Sequence, residues 1–260
     1  MNRIETAFKN KKAFIPFITA GYPNIKKTED FIYKAVEAGA DLIEIGIPFS
    51  DPVAEGVVIQ KASKAALQAG TNLDNIFELV KNVRKTVRIP LVFMTYINPV
   101  FKYGYDKFFK RCSLIGIDGI IVPDLPFEEK GEIYDFAKKY DVKIVSLIAP
   151  TSEERIKKIA SQAEGFLYIV SSMGVTGVRK EIKTDLKSIL SSVKKVTALP
   201  AAIGFGIHSP EQAKEMSKIA DGVIVGSAII KIIAQFGACA DKYIYDYVKR
   251  MKDAMNNVNV

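Results

Sequence analysis

Apolar, β-branched runs alternate with helix-period segments from one end of the chain to the other, and that alternation restricts the fold more than any single motif. Strands are predicted at 13–19, 42–47, 91–96, 118–122, 143–148, 166–170, 200–204 and 222–225. Helices are predicted at 28–38, 57–69 with 74–86, 105–115, 129–140, 153–163, 184–195 and 209–219, with a last helical stretch from 227 onward. Thr151-x-x-Glu154 and Ser209-Pro210-Glu211-Gln212 both have the form of capping boxes, the second with Pro at the first helical position. Eight strands, each followed by helix, with no linker and no low-complexity segment, predict an α/β fold: a single (β/α)₈ TIM barrel over residues 1–260. An open doubly wound sheet is the alternative. It would favour a glycine-rich phosphate turn after the first strand, and Thr19-Ala20-Gly21-Tyr22-Pro23 is not one.

In a barrel, one face of each strand meets the helices and the other meets the axis. This gives meaning to Glu44, which sits in Asp41-Leu42-Ile43-Glu44-Ile45-Gly46-Ile47-Pro48 with Ile on both sides. A carboxylate turned toward the apolar helix layer would be stranded, so Glu44 is expected to point inward. Leu42 and Gly46 share its face by alternation, and Gly46 is expected to leave space above the acid for a ligand. A buried carboxyl has its pKa raised, so it can hold a proton near neutral pH and serve as a general acid/base. The following loop, Phe49-Ser50-Asp51-Pro52-Val53-Ala54-Glu55-Gly56, adds two more carboxylates at the strand's C-terminal end, where barrel active sites form.

Three glycine-containing turns follow the last three strands: Met173-Gly174-Val175-Thr176-Gly177, Ile203-Gly204-Phe205-Gly206 and Val225-Gly226-Ser227-Ala228. Glycine lets the backbone approach an anion, and Gly226-Ser227 at a helix start offers free N–H groups and the positive end of the dipole. Together they predict a phosphate site on this quarter of the ring.

Composition narrows the other possibilities. The chain carries 37 Lys and Arg and a net charge of +8. The basic residues lie scattered through helical segments (Lys26-Lys27, Lys138-Lys139, Lys157-Lys158, Lys194-Lys195), interleaved with acids. They read as solvated helix faces, and no nucleic-acid or zinc motif accompanies them. Two cysteines, Cys112 and Cys239, form no disulfide framework and suit a reducing, cytoplasmic compartment. His208, the only histidine, reads as loop filler ahead of a helix. Lys143 begins a strand and reads as a surface residue rather than an imine-forming lysine. The apolar run after Lys11-Lys12 is broken by Pro16 and is not a convincing signal peptide. The stretch 222–240 is interrupted by Lys231 and reads as strand plus helix of the core, not as a membrane span.

The chain resembles the tryptophan synthase alpha subunit family over essentially its full length. The resemblance rests on Phe17-Ile18-Thr19-Ala20-Gly21, Glu44-Ile45-Gly46-Ile47-Pro48-Phe49-Ser50-Asp51-Pro52, Met94-Thr95-Tyr96-Ile97-Asn98-Pro99, Val122-Pro123-Asp124-Leu125-Pro126, Gly174-Val175-Thr176-Gly177, Gly204-Phe205-Gly206 and Gly226-Ser227-Ala228-Ile229. It implies a lyase that cleaves indole-3-glycerol phosphate into indole and glyceraldehyde 3-phosphate by a retro-aldol reaction. Glu44 matches the family's general acid/base and Glu55 its second acid, which meets the indole N–H. Phe17, Tyr96 and Tyr168 match indole-pocket and active-site positions, and Gly177, Gly206, Gly226 and Ser227 match the phosphate-binding backbone. The loop with Thr176 and Gly177 looks like the family's mobile lid. The resemblance also implies a tryptophan synthase beta subunit as partner in an alpha2beta2 assembly, with pyridoxal phosphate held by that partner and no cofactor on this chain. The partner-facing surface is expected near 51–57 and Asn98-Pro99-Val100-Phe101. Three positions depart from the family's common pattern: Glu55 where Asp is usual, Val57 where Pro is usual, and Ser172 where many relatives carry Arg. A barrel subunit with weak chemistry that mainly activates its partner is the alternative reading, and Glu55 is its support.

Overall fold

All seven residues of the first strand, β1 (Ala13–Thr19), are buried, as a parallel strand between an axis and a helix layer requires. The computed structural model describes residues 3–171 and 185–256. The strands that follow are β2 (Ile43–Gly46), β3 (Leu91–Met94), β4 (Gly119–Ile121), β5 (Lys143–Ile144), β6 (Ser146–Ile148), β7 (Leu167–Val170), β8 (Ala201–Gly204) and β9 (Gly222–Val225). Every pairing is parallel, and β1 joins both β2 and β9. The predicted fifth strand is divided. β5 pairs with β4 and β6 pairs with β7, while Val145 between them still donates its N–H to Ile120 O at 2.9 Å. The nine segments therefore make the eight positions of a TIM barrel, as expected from the alternation.

The helices are α1 (Arg3–Phe8), α2 (Ile25–Glu37), α3 (Val57–Gln68), α4 (Leu73–Val83), α5 (Ile97–Tyr103), α6 (Tyr105–Ile115), α7 (Gly131–Lys139), α8 (Glu153–Ser161), α9 (Leu186–Lys194), α10 (Pro210–Ile219), α11 (Ser227–Phe236) and α12 (Asp241–Asn256). The capping box at Ser209 and Gln212 forms as predicted. The other shifts by one residue: Ser152, not Thr151, caps α8, its hydroxyl accepting from Arg155 N. The stretch from 227 onward is two helices, because Gly237 turns the chain with φ +54°. Two short helices, α1 and α5, carry too few turns to show a period in the sequence.

The lysines lie on helix faces as expected. Lys27 pairs with Asp30 and Asp241, Lys139 with Asp106, and Lys157 and Lys195 with Glu153. Lys143 pairs with Asp141 at 2.7 Å. Among the described residues, no helix is long and apolar enough to cross a membrane, and no group of metal-ligating side chains forms.

At the N-terminal ends of the strands, three aspartates close the barrel floor. Asp41, ahead of β2, accepts from Phe14 N of β1 at 2.8 Å. Asp118, ahead of β4, accepts from Leu91 N of β3 at 2.9 Å, and Asp221, ahead of β9, accepts from Ala201 N of β8 at 3.0 Å. Two of them also hold cations. Lys252 of α12 reaches Asp41 at 2.6 Å and Lys11 reaches its other oxygen at 2.6 Å, while Arg84 and Arg3 share Asp118 at 2.7 and 2.8 Å.

Candidate active site

At the opposite end, Glu44 occupies the middle of β2, in register with Phe17 of β1 and Val92 of β3, and is 1% exposed. It faces the axis as expected and lines a cavity with Phe17, Ile59, Met94, Tyr168, Phe205, Gly206, Ile207, Ile224, Gly226 and Ser227. Its Oε2 has no hydrogen-bond partner among the described residues. Burial, reinforced by the nearby charge of Glu55, pushes its pKa up to about 8.

Glu55 reaches the same region from the loop between β2 and α3, and it is buried although a loop carries it. Burial raises its pKa to about 7, with a hydrogen bond from the Ser63 hydroxyl of α3 pulling the other way. The loop backbone is fixed at three points. Glu55 N donates to Pro52 O at 3.1 Å, Gln60 Nε2 donates to Glu55 O at 2.8 Å, and Ala54 N donates to the Tyr96 hydroxyl at 3.3 Å. Two carboxyls that both resist ionisation, at different pH, can divide the roles of proton donor and anion between them.

Gly46 does not leave space for a ligand, contrary to the sequence expectation. A Cβ there would collide with the ring of Phe17, and one at Gly226 would lie 3.3 Å from the same ring. The two glycines seat Phe17 in the barrel mouth. Gly204 does the same for the Tyr168 phenol, which Phe205 meets edge-on at 5.9 Å. The void left among these side chains is about 30 Å3, room for only a few water molecules.

Beside these side chains, the cavity is also lined by backbone at Gly206 and Gly226. Phe205 and Gly206 have φ of +73° and +83°, a left-handed pair in which Phe205 is sterically disfavoured. Ser171 Oγ holds the Phe205 carbonyl in a short hydrogen bond. Gly226 precedes α11 with no side-chain cap, so the first N–H groups of that helix and its dipole point toward the mouth. His208 stands behind, its ring at 3.1 Å from Gly206 O and its carbonyl accepting from the Tyr247 hydroxyl at 2.9 Å. It lies in a loop as expected, but ties that loop to α12 rather than merely filling it.

The family model described as "Tryptophan synthase alpha chain" matches residues 4–258. The chain belongs to the tryptophan synthase alpha chain family. Relatives named tryptophan synthase alpha chain include that of Lacticaseibacillus casei, 47% identical over 98% of this chain and 96% of its own length. That of Caldanaerobacter subterraneus is 45% identical over 98% of this chain and the whole of its own. Among solved structures, tryptophan synthase subunit alpha from Legionella pneumophila superposes with a TM-score of 0.90 at 35% identity, over 99% of this chain and 100% of that one. A chain of the tryptophan synthase complex from Pyrococcus furiosus superposes with a TM-score of 0.85 at 36% identity, covering 93% of this chain and 98% of its own. As a member of this family, the protein is a lyase of tryptophan biosynthesis, and the family has a beta-subunit partner.

Of the residues expected at a tryptophan synthase alpha site, Glu44, Phe17, Tyr168, Gly206, Gly226 and Ser227 line one cavity. Glu55 adjoins it through its electrostatic coupling to Glu44. Tyr96 does not line it. It lies behind the Glu55 loop, against the Phe49 ring at 5.2 Å, so its contact is with the loop. Thr176, Gly177 and the Ser172 departure lie outside the described residues. Sequence reasoning missed Ile59, Met94, Ile207 and Ile224, which present no chemical signal, and Ser63, whose hydroxyl on α3 was readable only once α3 was seen to pack beside the loop.

Proposed function

We propose that this chain cleaves indole-3-glycerol phosphate to indole and glyceraldehyde 3-phosphate by a retro-aldol reaction. The observation that carries the reading is buried Glu44 in a cavity it shares with Gly206, Gly226 and Ser227, with a second buried carboxyl, Glu55, near enough for its charge to raise the pKa of Glu44. With a pKa of about 8, Glu44 is mostly protonated at neutral pH, the form needed to donate. It gives its proton to the indole ring carbon that bears the side chain, leaving a cationic indoleninium. Glu55, with a pKa of about 7, supplies a carboxylate for the ring N–H, where positive charge is greatest. Glu44, now ionised, takes the proton of the side-chain hydroxyl. The carbon–carbon bond then breaks, its electron pair returns to the ring, and the hydroxyl carbon becomes the aldehyde. Glu44 ends protonated, as it began.

The phosphate would rest on the amides at Gly206 and at the start of α11, with Thr176 and Gly177 assigned to the same end by resemblance. Phe17 and Tyr168 would flank the indole ring. Since the void is about 30 Å3, side chains such as Phe17 and Phe205 would shift to admit substrate.

The partner in this reading is a tryptophan synthase beta subunit, in an alpha2beta2 assembly that carries pyridoxal phosphate on beta, in the cytoplasm. Val53, Val57 and Phe101 support the docking surface: they are 70%, 63% and 66% exposed, on 51–57 and α5 at the barrel mouth. Burial of Glu55 beside Glu44 favours catalysis over a purely activating role. The deciding experiment is indole release from indole-3-glycerol phosphate by the purified chain, alone and with a beta subunit. Release in both cases, faster with the partner, is expected. No release even with the partner would replace this reading with the activating one.

A further inference from the structure

We infer that Asp124 is a positioning residue for Glu55, acting through Tyr96. Asp124 follows β4, and both its carboxylate oxygens face Ile97 N of α5, at 3.0 and 3.3 Å. Ile97 begins α5, whose N-cap residue, Tyr96, makes no side-chain capping bond of its own. The cap of this helix is therefore supplied from 27 residues downstream. A carboxylate there satisfies an orphan N–H and meets the helix dipole with favourable charge.

The capped residue is adjacent to Tyr96, which is 1% exposed and reaches back from the start of α5 to the loop of the second acid. Its hydroxyl accepts from Ala54 N, next to Glu55 in the chain, and its ring packs on Phe49 at the start of the same loop. The path is short and continuous: Asp124 fixes Ile97, Ile97 fixes the backbone of Tyr96, and the Tyr96 hydroxyl fixes Ala54 and hence Glu55. The other ties of Glu55, to Pro52, Gln60 and the Ser63 hydroxyl, are local to the loop and to α3. Tyr96 ties the Ala54–Glu55 part of this loop to the neighbouring strand–helix unit. Asp124 does not line the cavity holding Glu44 and is not itself a catalytic group. Its burial raises its own pKa, while the bond from Ile97 N counters that rise.

The inference rests on the lyase reading above, so the test begins with wild-type indole release. Asp124→Ala is expected to lower kcat about tenfold with KM changed less than about twofold, the pattern of a misplaced acid rather than of lost substrate contact. Asp124→Asn keeps an acceptor for Ile97 N and is expected to return kcat to within about twofold of wild type. Tyr96→Phe removes the acceptor for Ala54 N. The double variant with Asp124→Ala is expected to be no slower than the slower single variant, because both lesions cut one path. If Asp124→Ala unfolds, the comparison of Asp124→Asn with Tyr96→Phe still decides. A slow Asp124→Asn overturns the inference, as does wild-type kcat in Asp124→Ala or in Tyr96→Phe, or additive losses in the double variant. Absence of cleavage by wild type instead removes the lyase reading.

Discussion

The two ends of the barrel treat buried carboxyl groups in opposite ways. At the floor, Asp41 is 5% exposed and accepts from Phe14 N, Lys252 and Lys11. At the mouth, Glu44 is 1% exposed, three residues further along the same segment, and its Oε2 has no partner among the described residues. Burial is the same, and the partners differ. Around Asp41 the chain supplies cations and an amide, and the carboxylate becomes a tie between the β1–β2 edge and the C-terminal helix. Around Glu44 it supplies Phe17, Met94 and Tyr168, and the carboxyl keeps a proton to near pH 8. The chain pairs its buried acids with cations and amides where strands begin, and leaves Glu44 among apolar and aromatic side chains further along.

The strongest way to break this contrast is Glu44→Gln. If Glu44 is the proton donor, cleavage should fall by at least ~10²-fold, the lower range for a positioned acid or base. The same variant should be more stable than wild type at alkaline pH. An isolated Glu titrates near 4.5 and this one at about 8, so wild type loses stability progressively as pH rises from about 4.5 to about 8. At about 1.4 kcal/mol per pKa unit, the difference approaches about 5 kcal/mol above pH 8 and vanishes below pH 4. Chemical denaturation at pH 5, 7 and 9 reads it. Equal gaps at all three would mean that Glu44 ionises normally, and the contrast would fail.

Asp41→Ala is the mirror image. It leaves Lys252, whose ammonium also donates to Lys12 O, without its carboxylate, and it frees Phe14 N. Removing one member of a buried pair costs about 3–5 kcal/mol. The rate per folded molecule should stay within about twofold of wild type, because the mouth is untouched. A variant as stable as wild type, or one that is stable but inactive, would erase the division of labour between the ends.

The sequence revealed these two ends unequally. The barrel was legible because fully buried strands force continuous apolar runs, and the lone acid among isoleucines was legible for the same reason. The break at Val145 was not, since either side of it reads as strand. Helix α5 was hidden because its cap is Asp124, far along the chain, and local capping signals therefore do not mark its start. Gly46 was misread because alternation tells which face a residue takes, but not that Phe17 of the neighbouring β1 fills the gap. The burial of Glu55 also depends on distant residues, Tyr96 and Ser63, so a loop position gave no hint of a pKa near 7.

Glu55→Ala should lose the carboxylate that meets the ring N–H. A charged hydrogen bond is worth roughly 1.5–3 kcal/mol, so cleavage is expected to slow ~10- to 10²-fold. This is smaller than the loss at Glu44, because Glu55 stabilises charge without carrying the proton. Steady-state indole release compares them directly. An unchanged rate would mean that Glu55 is not the second acid.

The smallest expected effect tests whether the loop is set for the longer side chain. Glu55→Asp keeps the charge and shortens the reach by one methylene. For the carboxylate to recover its place, the backbone at 54–55 would have to advance. It is held by Pro52 O, by Gln60 and by the Tyr96 hydroxyl, so only a fraction of that distance is available. The aspartate would sit back from the Ser63 hydroxyl and from the ring nitrogen, and a hydrogen bond stretched in this way weakens without vanishing. A drop of roughly 3- to 10-fold in kcat/KM is expected, between wild type and Glu55→Ala. Releasing the loop should soften it: in a Tyr96→Phe background, which lets Ala54 move, Glu55→Asp should cost less than in wild type. If Glu55→Asp matches wild type in both backgrounds, the loop accommodates either acid, and its three ties are not what sets the second carboxyl.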